Sequence, residues 1–186
     1  SDVYKRQVMN GAVALIEASI RELDMRQHNG EHPRMGVVDV CPFVPLRNTT
    51  MEECADLARQ TVHIVSERHD VPLFLYGAAA SQPERTVLSH LRRGEYEHFE
   101  ARLSGDDTHH SDRTRMPDFG ATEWTETVAK SGGITVGARP ILVAYNVNVG
   151  ERGAEVSKKI GSIVRSSGRL LKSDGGGKVR SRGMLT

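Results

Sequence analysis

A chain of 186 residues suits one domain, or one domain with part of another. Its formal net charge of +1 supplies no global field that would recruit nucleic acid or a membrane surface, and no apolar run approaches the ~18 residues of a membrane span. Two cysteines, Cys41 and Cys54, make neither a disulfide framework nor a metal knuckle and fit free thiols in a reducing, cytoplasmic compartment.

The opening, SDVYKRQ, is polar and without pattern, so residues 1–7 are read as a non-native leader and the fold is expected to begin at Val8. From there to Asp24, Val8, Ala12, Leu15, Ile16, Ile20 and Leu23 fall near one helical face, and His28, Asn29 and Gly30 make an exit. Val37 to Leu46, VVDVCPFVPL, is rich in β formers, but Pro42 and Pro45 exclude a fully paired central strand across its second half. The next helix is the clearest. Thr50 and Glu53 have the spacing of a capping box, and Leu57, Ala58, Val62 and Val65 supply a buried stripe.

VPLFLYG, ending at Gly77, reads as a short apolar strand, and Pro83 to Leu103 as two short helices around Gly94. Gly105 to Gly133 is polar and loop-like. Two strand candidates follow around Gly137 and Pro140, then a helix with Val156, Ile160 and Ile163 in phase, then a flexible basic end from Lys172 to Gly183. Helices alternating with strands predict an α/β fold, an open sheet with helices on one or both faces.

Among chemical candidates, His32 stands out. Pro33 disfavours a helical backbone at His32, which places the imidazole in an exposed turn, and imidazole changes charge near neutrality. That suits general acid–base work. Glu31 and Arg34 could orient it, bind a carboxylate, or simply be solvated. His109 and His110 with Asp106, Asp107 and Asp112 lack a regular ligand spacing and read as a solvated loop, so no metal is expected. Gly175 to Gly177 lacks the Lys-Ser/Thr ending of a phosphate-binding loop. Lys172, Lys178, Arg180 and Arg182 read as a basic tail, and Cys41 as core.

The string Gly30 to Gly36, GEHPRMG, is followed in order by VPLFLYGAAA, LRRGEYEHFEARL, PDFG and TVGARPILVAYNVNV. Together these resemble the formiminotransferase domain, over Val8 to Gly168. The resemblance implies an α/β fold of the α+β sandwich type, an open sheet covered by helices. It implies an N-terminal subdomain over residues 8–137 that lacks its first strands, the start of a C-terminal subdomain over 138–186, and folate in a groove between the two. The implied activity is transfer of a formimino group from N-formimino-L-glutamate to N5 of tetrahydrofolate, in a homo-oligomeric full-length parent. His32 falls on the family's catalytic histidine. The implied folate loop begins at Gly120 and runs to about Gly133, through Ala121, Thr122, Glu123 and Trp124 to Gly132; it departs from the family in lacking the proline usual after PDFG. A non-catalytic folate-binding or interaction module of the same fold, or a glutamate formyltransferase, are the alternatives.

Transfer between two nitrogens passes through a tetrahedral adduct in which the attacking nitrogen loses a proton and the departing one gains it. A single imidazole can serve both steps, and orientation of the two substrates supplies much of the rest. The substrates' carboxylates call for cations, and Arg34 and Arg139 offer bidentate geometry; Trp124 could flank the pterin or the aminobenzoyl ring.

Overall fold

Val71 to Tyr76 carries no charged residue to mark an outer face, the pattern of a parallel strand covered on both sides. The structure, a computed structural model describing residues 2–105, 112–143, 153–164, 170–172 and 178–180, shows that arrangement. Strand β1 (Cys41–Phe43), strand β2 (Leu73–Gly77) and strand β3 (Ile134–Ala138) form a parallel sheet in the order β1-β3-β2. Val136 of the central strand sits beside both Cys41 and Leu75. Pro42 is accommodated because β1 is an edge strand, where a missing N–H leaves no rung broken on a second side.

Alternation along β2 divides the interior in two. Leu73 and Leu75 join Ile134, Val136 and Ala138 in a core completed by two long helices, α1 (Asp2–Glu22) and α2 (Met51–Arg68). Phe74 and Tyr76 point to the other face, against Met35, Leu91, Phe99 and Val128. Helix α2 lies on the sheet and α1 packs on α2. The Thr50 hydroxyl accepts the Glu53 N–H while the Glu53 carboxylate accepts the Thr50 N–H, so the capping box forms as expected.

Helix α1 departs from expectation in two ways. It starts at Asp2, so residues set aside as a leader are helical, and Lys5 pairs with Glu53 of α2. Its buried face is Met9, Val13 and Ile16, with Ala12 and Ile20 half-buried, whereas Val8 and Leu15 are 58% and 61% exposed. The helix carries two apolar stripes, and periodicity alone does not say which one meets α2.

Short helices cover the second face: α3 (Leu88–Leu91), α4 (Phe99–Ser104) and α5 (Glu126–Ser131). The last corrects the expectation of a continuous polar loop from Gly105 to Gly133. Thr125 caps α5 by accepting the Val128 N–H at 3.3 Å, and Val128, Ala129 and Ser131 are buried. Fewer than two turns of mostly polar sequence leave no periodic signal to read. Because this face has little regular structure, its carbonyls need other donors. Buried arginines provide them: Arg85 donates to the Thr114 and Met116 carbonyls and pairs with Asp118, and Arg102 donates to the Leu91 carbonyl at 3.0 Å.

The first compact unit runs from Ser1 to Ile141, and Ala138, where the second subdomain was expected to begin, is the last residue of β3. The second unit, Leu142 to Thr186, contains helix α6 (Gly153–Val164) and an antiparallel pair, β4 (Leu170–Lys172) with β5 (Lys178–Arg180). The final helix was expected; the strands replace part of what was read as a flexible tail. Ile141 to Val143 form no strand, and the strand expected beyond them lies outside the described residues, as do His109, His110 and Gly175 to Gly177.

Thr50→Ala removes one half of the capping box and should cost about 1 kcal/mol of stability, read as a lower urea midpoint at unchanged slope.

Candidate active site

The segment after His32 is fastened at nearly every peptide. The Arg34 carbonyl accepts the Tyr96 N–H at 2.9 Å, the Met35 N–H donates to Asp39 Oδ1 at 3.1 Å, and the Met35 carbonyl accepts the Gly133 N–H at 2.9 Å. Gly36 makes an antiparallel bridge with Gly132, and the Val37 N–H donates to the Ser131 carbonyl at 2.8 Å. The two backbones touch. A Cβ on Gly36 would collide with the Ser131 and Gly133 carbonyls, and one on Gly132 with the Met35 carbonyl. Gly132 also has φ of 63°, a left-handed backbone that glycine alone adopts readily.

On this base His32 is exposed. Its Nδ1 lies 2.8 Å from the Pro33 carbonyl oxygen. A carbonyl only accepts, so Nδ1 is the donor in this contact, and in the neutral ring that arrangement leaves the Nε2 lone pair free. The imidazole borders a cleft of about 470 Å³ that is also lined by Met25, His28, Glu31, Arg34 and Asp39.

Arg34 is not an open fork. It donates to Glu97 at 2.7 Å and to the His28 carbonyl at 3.1 Å, and Glu95 lies 3.7 Å away. Glu97, chiefly, raises the guanidinium pKa, and Arg34 in turn lowers that of the Glu97 carboxyl. An incoming carboxylate would exchange with Glu97, whose side chain is 52% exposed. On the rim, Asp24 caps a 3-10 turn at Met25–Gln27 and holds Arg26, which reaches Glu126 of α5 at 2.7 Å. Hydrogen bonding from Arg26 lowers the Asp24 pKa to about 2.

The remaining sequence candidates separate into groups. Gly132 and Gly133 join the His32 segment, but they are buried against Met35 and Gly36 and present no open surface to a ligand. Gly120 packs against the Val71 carbonyl with φ of 74°, Ala121 is buried, and Thr122 and Glu123 are exposed. Trp124 is half-buried, edge-on to Phe99 at 6.1 Å and 87°, and 6.0 Å from Tyr96. The irregular stretch is therefore only Gly120 to Thr125. Arg139 follows the far end of β3, a strand of about 16 Å at ~3.3 Å per residue, and does not line the His32 cleft. It approaches the phenol of Tyr76, whose pKa burial raises.

Two residues that matter were missed. Tyr96 holds the Arg34 carbonyl, donates its hydroxyl to the Ala129 carbonyl at 2.6 Å and meets Trp124 through its ring, so it joins the His32 turn to α5. Nothing local marks it. Asp39 had a signal: a carboxylate amid the apolar run VVDVCPFV, where a charge demands a partner. Cys41 is half-buried and Cys54 buried, and desolvation raises both thiol pKa values, as expected of unreactive thiols. Larger surface grooves of about 640 and 580 Å³ lie elsewhere, and neither is lined by His32 or Arg34.

The parallel sheet, covered on both faces, and the anchored histidine turn define an α/β subdomain. Residues 3–139 match the formiminotransferase domain, N-terminal subdomain, and the chain belongs to that family. It is 40% identical over 163 residues to a formimidoyltransferase-cyclodeaminase of Dictyostelium discoideum, covering 87% of this chain and 28% of that protein. It is 35% identical over 164 residues to a glutamate formimidoyltransferase of Streptococcus pyogenes, covering 88% and 51%. With a glutamate formimidoyltransferase of Thermoplasma acidophilum the identity is 38% over 160 residues, covering 86% and 50%. The chain thus spans about half the length of the single-activity relatives. Among the described residues no helix is long and apolar enough to cross a membrane.

Gly132→Ala combines a left-handed backbone with a collision against backbone atoms that cannot swing aside. It should cost more than the ~1–3 kcal/mol typical of an overpacked site, seen as a lower thermal midpoint and faster amide exchange at Met35 to Val37.

Proposed function

We propose that the full-length protein carrying this subdomain transfers a formimino group from N-formimino-L-glutamate to N5 of tetrahydrofolate, with His32 as general acid–base. The observation that carries the reading is the Nδ1–Pro33 contact within the GEHPRMG turn, which leaves Nε2 free at the edge of the cleft. The names of the relatives supply the reaction class.

The chemistry follows from one ring nitrogen acting twice. N5 of the folate attacks the carbon of the formimino group, carried as its amidinium, so that the C=N π pair moves onto the protonated formimino nitrogen, and Nε2 takes the proton that the attacking nitrogen sheds in forming the tetrahedral adduct. The Pro33 carbonyl accepts from Nδ1–H throughout and keeps the ring oriented. The same proton then passes to the glutamate nitrogen as its bond to carbon breaks, which returns the ring to its starting tautomer. Arg34 is the guanidinium at hand for a glutamate carboxylate, in exchange for Glu97. We assign the folate side to the exposed stretch at Thr122 and Glu123 beside Trp124, whose aromatic faces suit a flat ring. A cleft of about 470 Å³ is in the range of small-molecule sites. Arg139, outside the cleft, takes no part in these steps.

In the full-length protein His32→Gln should lower kcat by roughly 10²–10⁴ while folate binding, followed by fluorescence quenching of Trp124, is retained. Turnover close to wild type would remove His32 from the mechanism.

A further inference from the structure

We infer that Asp39 is a positioning residue for His32, acting through the backbone of the turn; the inference rests on the reading of His32 given above. The peptide between Arg34 and Met35 is gripped at both of its polar groups. Its carbonyl accepts the Tyr96 N–H at 2.9 Å, and its N–H donates to Asp39 Oδ1 at 3.1 Å. A peptide unit is planar, so these two bonds fix its orientation. The adjoining peptide, one Cα away at Arg34, carries the Pro33 carbonyl, the group that orients the imidazole through Nδ1. The proline ring fixes φ at Pro33, which leaves few free torsions between the clamp and the histidine.

Asp39 can serve as a clamp because its backbone is held by the sheet, while Arg92 offsets the cost of burying its carboxylate. Its backbone carbonyl accepts the hydroxyl of Thr135, a fully buried residue of the central strand. Its carboxylate takes a two-pronged contact from Arg92, with Nε on Oδ1 at 3.0 Å and a terminal nitrogen on Oδ2. The two side chains are 20% and 18% exposed. A carboxylate in this apolar approach to β1 would be costly alone; paired with Arg92 it is compensated and still has acceptor capacity for the Met35 N–H. Asp39 lies on the wall of the same cleft as His32, but its three donors already occupy it. The arrangement therefore points to an indirect role rather than to a second base.

The inference separates from a merely structural role by kinetics in two backgrounds, with folding checked by circular dichroism. Asp39→Ala should lower kcat about 10-fold to 100-fold with little change in KM for either substrate. Asp39→Asn, which can still accept from Met35, should recover most of that rate. Combining Asp39→Ala with His32→Gln should be no slower than His32→Gln alone, because a residue that acts through the histidine has nothing left to position. The same rate loss from Asp39→Ala in both backgrounds, or a loss carried by KM, would overturn the inference while leaving His32 in place. If His32→Gln runs at wild-type rate, the reading of the histidine fails first and the inference falls with it. Should Asp39→Ala not fold, Asp39→Asn and Arg92→Met decide. Arg92→Met removes the ion pair but not the Met35 bond, so it should lower the melting temperature and leave kcat within about threefold. A kcat loss beyond 10-fold in folded Arg92→Met or Asp39→Asn would show that the ion pair, not the clamp on Met35, is what matters, and would overturn the proposal.

Discussion

The structure turns on the close approach of two backbones, Met35–Gly36 against Gly132–Gly133. No side chain fits between them at Gly36 or Gly132. Because the segments touch, two backbone hydrogen bonds form there, Gly133 to Met35 and Val37 to Ser131, and together they make the Gly36–Gly132 bridge. That junction sets where β3 begins, since Ile134 follows Gly133 directly, and it sets where the histidine turn ends. Sheet register and site geometry thus share one constraint. Loops are usually mobile and exposed; here the segment that follows His32 is bonded almost as densely as a strand, while Glu31, His32 and Pro33 are exposed.

Around that junction the second face of the sheet is assembled from polar bonds rather than from long helices. Arg85 and Arg102 serve loop carbonyls, and Tyr96 ties the turn to α5 through both its backbone and its hydroxyl. Trp124, Tyr96 and Phe99 form an aromatic corner beside these bonds. The first face differs in kind. There α2 and α1 bury aliphatic side chains against Leu73, Leu75 and Val136, with Thr61 the one buried polar residue of α2, satisfied within its own helix by the Leu57 carbonyl. One face supplies burial and the other supplies placement.

What the sequence made legible follows this division. The capping box at Thr50 and the apolar strand at β2 are local patterns, and both form as read. The family string around His32 marked the turn, and the His-Pro pair marked it as non-helical. Helix α1 was legible as a helix but not in its facing, because Val8 and Leu15 have the same spacing as the residues that are buried. Helix α5 was hidden by its length. Tyr96 and Asp39 depend on partners far along the chain, Tyr96 on Arg34 and Ala129, Asp39 on Arg92 and Thr135. Arg139 was grouped with Arg34 because both are arginines in the matching motifs, and spacing carries no information about which end of a strand a residue occupies. Gly132 and Gly133 were read as making room for a ligand, whereas the space they make is filled by Met35 and Gly36.

The strand order has a consequence for how the chain reaches this state. Strands β1 and β2 come first in sequence, yet they do not pair with each other; among the described residues each finds its parallel partner in β3, which lies between them. The three-stranded sheet does not close until Ile134 to Ala138 arrives. Contacts of such long sequence separation slow folding, and during synthesis the two early strands wait with their edges unpaired. The residue that leads β3 into its place is Gly133, which also holds the Met35 carbonyl. The event that closes the sheet is therefore the event that fastens the histidine turn, and a chain caught before it would have neither the sheet nor the fastened turn.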